Sequence, residues 1–440
     1  MKKIDLTTGK ELSVIPLLSI PLIGSSLLQF LYNFIDMLFV GGLGPDAIAS
    51  VGSASFFINL GYSIQAMIVV GGSIKIAHSI GSKNDLESTS YIGISLFLNL
   101  LIGILTILGF LFFGNQLLGF LDLQNHAVQF NAYQYLAISG FALFFSYFNT
   151  FFIRMFSSFG NNKQSFYISA FGLLLNIILD PIFIYTLEWG VIGAAIATLI
   201  AQLLMFILFI YLARKILFQK DIIKINYHKA LEIIKLGIPM STQRVLFTVI
   251  NIILAKFIAS YGTDAVAAQK IGLQIESVTF IVMGSLNGAV SSFIGQNFGA
   301  KKYLRILNGY RISLLLGVSY ALLTSVVFIF FSEELAQLFT NDTETIAITS
   351  SYLIIIGLSQ IFMAMEMICN GVYTGIGLPK IPSTISIVFT LMRIPLALFL
   401  IPIFGLNGIW LSIAISSFVK GILSIVILNV LFRRKYKNEM

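Results

Sequence analysis

Apolar runs about as long as a bilayer is thick recur along this chain from end to end, and no other feature narrows its folds so far. Hydrocarbon offers a backbone amide no hydrogen-bond partner, so a segment of about 20 apolar residues crosses roughly 30 Å of it as an α-helix. Twelve such spans are predicted, at roughly 13–40, 47–76, 90–114, 129–153, 164–187, 190–213, 233–259, 264–296, 309–331, 346–372, 381–402 and 406–431. The residue balance behind them is 57% apolar and 10% charged, with 40 phenylalanines, far from that of a soluble domain. The fold class is therefore an all-α polytopic membrane protein. Glycine patches such as Val70-Gly71-Gly72-Ser73, and Pro181 and Pro395, predict bends or close helix contacts within the spans rather than breaks.

The spans fall into two copies of one unit. Leu18–Asn84 lies over Leu236–Lys302 without a gap: Pro21 meets Pro239, Asn33 meets Asn251, Gly44 meets Gly262, Asp46 meets Asp264 and Gly81 meets Gly299. A second echo pairs Gly160 and Lys163 with Gly377 and Lys380 and, after a two-residue slip, Gly190 and Gly193 with Gly405 and Gly408. The predicted organisation is an N-terminal six-helix bundle at 1–216, a cytoplasmic linker at 217–230 and a C-terminal six-helix bundle at 231–440. With six spans in each copy, both copies run in the same sense and form a parallel repeat.

Lysine and arginine set the orientation, because short loops rich in them stay on the cytoplasmic side. They cluster at Lys2, Lys3 and Lys10, at Lys75 and Lys83, at Arg154 and Lys163, from Arg214 to Lys235, from Lys301 to Arg311, at Lys380, and from Arg433 to Lys437. The alternate loops and their edges carry acids instead: Asp46, Asp122, Glu188, Asp264, Glu333, Glu334, Asp342 and Glu344. Both termini are thus expected in the cytoplasm, with the chain in the inner (plasma) membrane. The net charge of +8 then reflects topology and attraction to anionic lipid, not a nucleic-acid surface.

Catalytic chemistry is missing. The three histidines, His78, His126 and His228, lie far apart at span ends or in loops, and the single cysteine, Cys369, excludes an intrachain disulfide and a multi-cysteine metal site. No phosphate-binding GxxxxGK[ST] loop is present. No enzyme and no cofactor is expected.

Four carboxylates, Asp36, Asp180, Glu276 and Glu366, fall inside the spans. Each costs roughly 2.5 to 3.5 kcal/mol to insert, so each should face a cavity or a partner. Asp36 and Asp180 should share a level in the outer part of the first half. Asn176 precedes Asp180 by four residues and so projects from the same face of its span. Pro181 donates no N–H, which frees the carbonyl of Ile177. Burial and a second nearby carboxylate both disfavour the ionised form, so such a pair can take up a proton on one side and release it on the other; the same oxygens suit Na⁺. Asp36, Asn176 and Asp180 are therefore the candidate cation-coupling residues, and the metal ligands if the ion is Na⁺. Their repeat partners are Leu254, Arg393 and Ala397, so the set exists in one half only. The bland alternative is a carboxylate satisfied by a neighbouring hydroxyl or amide.

In the second half, Glu276, Glu366, Gln243, Arg244 and Arg393 make a possible substrate cavity or second polar site, with simple ion pairing as the competing reading. Lys256, Lys270 and Lys420 are expected to snorkel or pair. The aromatic stretch Phe141–Phe152 either lines a pocket for flat lipophilic molecules or supplies lipid-facing and packing residues, and Met363, Met365 and Met367 are either adaptable surface or plain filler.

These residues resemble the multidrug and toxic compound extrusion family, and within it the DinF-type branch. The resemblance rests on Asp36 in DMLFVGGLGPDAIASVG, NIILDPIFIY from Asn176 to Tyr185, WGVIGAAIAT from Trp189 to Thr198, and GQNFGAKK from Gly295 to Lys302. It implies two bundles facing each other in a V and drug efflux driven by inward H⁺ or Na⁺. Asp36 matches the family's acid in the first span, and Asn176 and Asp180 match the DinF-type pair in the fifth. The NorM-type branch places its cation site on acids of spans seven and ten; here span seven offers Gln243 and Arg244, and Glu366 lies only near the expected place.

The expected mechanism is rocker-like alternating access around a central cavity, with small amphipathic drug-like substrates, surrounding lipid and a monomeric protein. A flippase for a lipid-linked saccharide is the nearest competitor, kept alive by Arg244 and Arg393. A channel or non-transporting scaffold is the alternative of a different class.

Overall fold

The computed structural model describes residues 5–121, 125–218 and 226–435. Among them every regular element is helical, and twelve helical segments are long and apolar enough to cross a membrane. The chain is thus a multi-pass, all-α membrane protein. Lys2, Lys3, Asp122 and Lys437, and residues 219–225 of the predicted linker, lie outside the described residues.

In chain order the helices are α1 (Glu11–Gly41), α2 (Pro45–Gly81), α3 (Asp85–Gly119), α4 (His126–Ser158), α5 (Asn162–Pro181) and α6 (Gly190–Leu217). There follow α7 (Tyr227–Ala259), α8 (Thr263–Gly299), α9 (Tyr303–Phe330), the short α10 (Ser332–Gln337), α11 (Thr343–Gly375), α12 (Lys380–Leu391), α13 (Arg393–Phe404) and α14 (Leu406–Lys435). Each span is met by a helix, usually a few residues longer at both ends, because polar first and last turns such as Asp85–Glu87 continue a helix that hydropathy alone cuts short.

Two proline sites behave differently from each other. Pro181 stays within α5, and a π-helical turn follows at Ile182–Thr186, closed by a bond from the Leu187 N–H to the Ile182 carbonyl at 2.8 Å. Span eleven, expected only to bend, is interrupted at Met392 and divides into α12 and α13. Pro395 has no N–H to give the Leu391 carbonyl, so the helical ladder fails one turn before it.

The repeat is written in the backbone as well as in the sequence. Gly44 and Gly262 cap α2 and α8 with φ of 103° and 105°, a region that a Cβ makes costly. Lys83 and Lys301 adopt φ of 58° and 56°, Gly160 and Gly377 75° and 79°, and Gly190 and Gly405 53° and 58°.

Packing divides the chain into two compact units that do not follow chain order exactly. One is built on Ile20–Ser241, the other on Leu6–Ser19 and the chain from Thr242 onward. The first part of α7 therefore belongs with the N-terminal helices, and the first part of α1 with the C-terminal ones.

Within the first unit, the start of α7 lies backbone to backbone on α2. A Cβ on Gly71 would strike the Ile233 carbonyl, and one on Gly237 would strike the Met67 carbonyl. Ser241 donates to the Ser63 carbonyl at 2.6 Å, and Glu232 pairs with Lys75 at 2.6 Å while accepting from the Tyr91 hydroxyl at 2.6 Å. In the second unit the segment before α1 is held in the same spirit. Gln296 accepts from the Leu6 N–H, Asn297 donates to the Leu6 carbonyl, and Arg305 donates to the carbonyls of Thr8 and Gly9 and pairs with Glu11.

Apart from Phe141, which is exposed, the aromatic stretch of α4 packs into the core. Phe144, Phe148 and Phe152 pack with Phe206 and Phe209 of α6 in a chain of ring contacts at the centre of the first unit. The second unit packs around Leu254, Tyr352, Leu353 and Trp410.

Candidate functional site

The first unit brings Asp36, Asn176 and Asp180 together. α1 and α5 are both apolar helices, and each turns one short polar row inward. On α5 the four-residue spacing acts as expected: Asn176 Nδ2 donates to Asp180 Oδ1 at 3.0 Å, and both residues are fully buried. On α1 the row is Tyr32 and Asp36, again one turn apart. Asp36 and Asp180 lie within electrostatic reach of each other, and Tyr32 and the buried Tyr135 of α4 lie within reach of both.

The register of α1 against α5 is fixed just outside this cluster. Tyr185, in the π-helical turn, donates its hydroxyl to the Phe39 carbonyl at 2.6 Å, and the two rings meet edge to face. The π turn widens the helix and brings Tyr185 to α1, less than one turn beyond Asp36. The proline that precedes it thus shapes the site through the backbone.

Four oxygens in the cluster are buried and have no hydrogen-bond partner: Asp36 Oδ1, Asp180 Oδ2, Asn176 Oδ1 and the Tyr32 hydroxyl, which faces Thr198 without closing a bond of good geometry. Unpaired acceptors in a low-dielectric interior are costly. Two carboxylates and an amide oxygen form a donor set that suits a hard cation or a shared proton. Tyr32 was legible in principle, since it sits four residues before Asp36; Tyr135 carries no signal in its own stretch.

The second unit encloses a cavity of about 580 Å³, and Gln243, Glu276, Glu366 and Arg393 all line it. Arg244 does not. It is exposed and absent from the lining, because residues adjacent on a helix project about 100° apart and Gln243 takes the inward position. The ion pairing expected of the acids also differs. Glu366 pairs with Lys420 of α14 at 2.9 Å, both side chains being less than a tenth exposed. Glu276 accepts from the Tyr352 hydroxyl at 2.7 Å and from Gln360 Nε2 at 3.4 Å, and so is held by neutral donors. Arg393, at the start of α13, donates through Nε to Ser416 at 3.2 Å with its guanidinium 5.8 Å from the Phe247 ring. Met363 and Met367 line the cavity and Met365 does not. Lys420 enters the site from α14, where among the described residues the other buried polar side chains are serines.

The sequence pattern of MatE matches residues 21–182 and 239–399, one match in each repeat. The chain belongs to the MatE family. Among curated MatE relatives, a probable multidrug resistance protein NorM of Thermotoga maritima is 25% identical over 90% of this chain and 87% of its own length. A multidrug export protein MepA of Staphylococcus saprophyticus is 25% identical over 94% of this chain and 92% of its own. A solved structure described as an outward-facing conformation of a multidrug resistance MATE family transporter superposes with a TM-score of 0.89 at 24% identity, covering 98% of each chain. A second superposes with a TM-score of 0.90 at 24% identity over 99% of each chain. It is a MOP superfamily transporter of Pyrococcus furiosus whose description says that reverse polarity of its binding pocket suggests a different function. MatE membership places the chain among membrane transporters and not among enzymes.

Proposed function

We propose that this MatE protein is a secondary multidrug efflux transporter, of the DinF-type branch, that exports amphipathic organic compounds by antiport against H⁺ or Na⁺. The names of the relatives support the substrate class. The coupling rests on one observation: the buried, unpartnered oxygens of Asp36, Asn176, Asp180 and Tyr32 in the first unit. A bound proton or cation relieves their electrostatic cost, so the loaded and empty states of the site favour different packings of α1 and α5. Only such a difference lets an ion bias a conformational equilibrium and drive alternating access. A membrane potential of 100 mV adds about 2.3 kcal/mol per charge moved.

Substrate is assigned to the cavity of the second unit, where an apolar lining surrounds Glu276, Glu366, Arg393 and Lys420. Orientation in the inner membrane with cytoplasmic termini is supported by the basic loops, of which Lys83, Lys301 and Lys302 lie at described helix ends. A pyrophosphate-bearing lipid substrate is less well served than the sequence suggested, since Arg244 is not part of the cavity.

The deciding experiment is norfloxacin movement in proteoliposomes under a pH gradient and a Na⁺ gradient imposed separately, with Asp36→Asn alongside. Movement under one gradient that is lost in the variant supports antiport and names the ion. No gradient-driven movement by correctly inserted protein sinks the proposal.

A further inference from the structure

Two buried acids and two buried bases line the cavity of the second unit, yet they are not two equivalent ion pairs. Glu366 and Lys420 neutralise each other at 2.9 Å. The other two remain apart. Among the described residues Arg393 makes no ion pair, and its one hydrogen bond uses Nε, so both terminal nitrogens have donors to spare. Glu276 is held by two neutral donors, within electrostatic reach of Arg393 but without an ion pair to it.

A guanidinium whose Nε is anchored turns its remaining edge, with parallel N–H donors, toward a carboxylate in the fork geometry that favours bidentate pairing. Here Arg393 lines a cavity of about 580 Å³, within the size range of pockets for drug-sized ligands, with its guanidinium over the Phe247 ring and Phe280 also in the lining. A purely cationic guest would satisfy Glu276 and leave Arg393 unmatched; a purely anionic one would do the reverse. A molecule carrying both charges satisfies both.

We infer that this cavity selects zwitterionic aromatic amphipaths, with Arg393 receiving the substrate carboxylate and Glu276 its ammonium group. This rests on the efflux reading for the identity of the cavity as a substrate site, and it goes further in naming the charge pattern and the residue that reads each end. Ser416 is a positioning residue, because it acts only through its bond to Arg393 Nε.

The test is equilibrium binding to the full-length protein in detergent with no ion gradient, so that its failure is separable from failure of coupled transport. Three probes share one ring system: norfloxacin, a zwitterion; its methyl ester, a cation; and its N-acetyl derivative, an anion. Wild-type protein should bind norfloxacin more tightly than either derivative. Arg393→Gln should weaken norfloxacin and the N-acetyl compound at least about ten-fold and leave the ester within about two-fold. Glu276→Gln should weaken norfloxacin and the ester and spare the N-acetyl compound. Ser416→Ala keeps the charge and should cost the carboxylate-bearing probes only a few-fold. Because each variant must retain one probe, loss of folding cannot imitate the crossed pattern. Equal weakening of all three probes by Arg393→Gln, an ester that binds wild type as well as norfloxacin, or no saturable norfloxacin binding would each overturn the inference.

Discussion

The Tyr185 hydroxyl donates to the Phe39 carbonyl at 2.6 Å, which joins the π turn after α5 to α1 just beyond Asp36. This bond joins the two helices, far apart in sequence, that carry Asp36 and Asp180. A net hydrogen bond contributes about 0.5 to 1.5 kcal/mol. Tyr185→Phe should therefore lower gradient-driven norfloxacin transport by a few-fold to about ten-fold without changing norfloxacin binding in detergent. Transport at the wild-type rate would show that the bond does not set the geometry of the acid pair.

Asp36→Asn and Asp180→Asn should separate coupling from folding. Each replaces a carboxylate whose buried oxygen lacks a partner with a neutral side chain of the same shape, so thermal stability should hold or rise. Gradient-driven transport should fall at least about ten-fold. A variant that melts early would mean that the carboxylate is part of the scaffold.

Glu366 and Lys420 form a closed pair in the second unit. Glu366→Gln strands the Lys420 ammonium and should cost about 3 to 5 kcal/mol, whereas Glu366→Gln with Lys420→Met should recover most of it. The single cysteine, Cys369, is buried and provides an internal reporter: a thiol-reactive dye labels it as the protein unfolds on heating. A double variant no more stable than the single would disprove the pairing.

The first part of α7 packs on α2 through two glycines. A Cβ at Gly237 meets the Met67 carbonyl, a rigid backbone atom that cannot swing aside. Gly237→Ala should cost about 1 to 3 kcal/mol in the same dye assay. Gly109→Ala, where nothing lies within 4 Å of the added methyl group, is the control expected to be neutral or stabilising.

Arg305 holds the segment before α1 through the Thr8 and Gly9 carbonyls at 2.7 and 2.6 Å and through Glu11 at 3.3 Å. Arg305→Ala should speed amide hydrogen exchange over 6–11 while leaving α8 protected. Unchanged exchange there would mean that Gln296 and Asn297 hold the segment alone.

By itself the sequence determined most of what depends on one helix at a time, though not the break at Met392 or the π turn after Pro181. Twelve spans were readable because bilayer thickness is a condition on local composition, and the repeat was readable because Gly44 and Gly262 answer the same backbone demand. The Asn176–Asp180 bond was readable because four residues make about one helical turn. What lay beyond reach depends on how helices rotate and lean against one another, which spacing within one helix does not encode. Thus Tyr135 faces the acid pair, Lys420 rather than an arginine closes on Glu366, and Gln243 takes the inward position that Arg244 lacks. The tertiary structure also decided that the starts of α1 and α7 pack with the opposite repeat, because the contacts that hold them, Leu6 with Asn297 and Gly237 with Met67, join residues far apart in the chain.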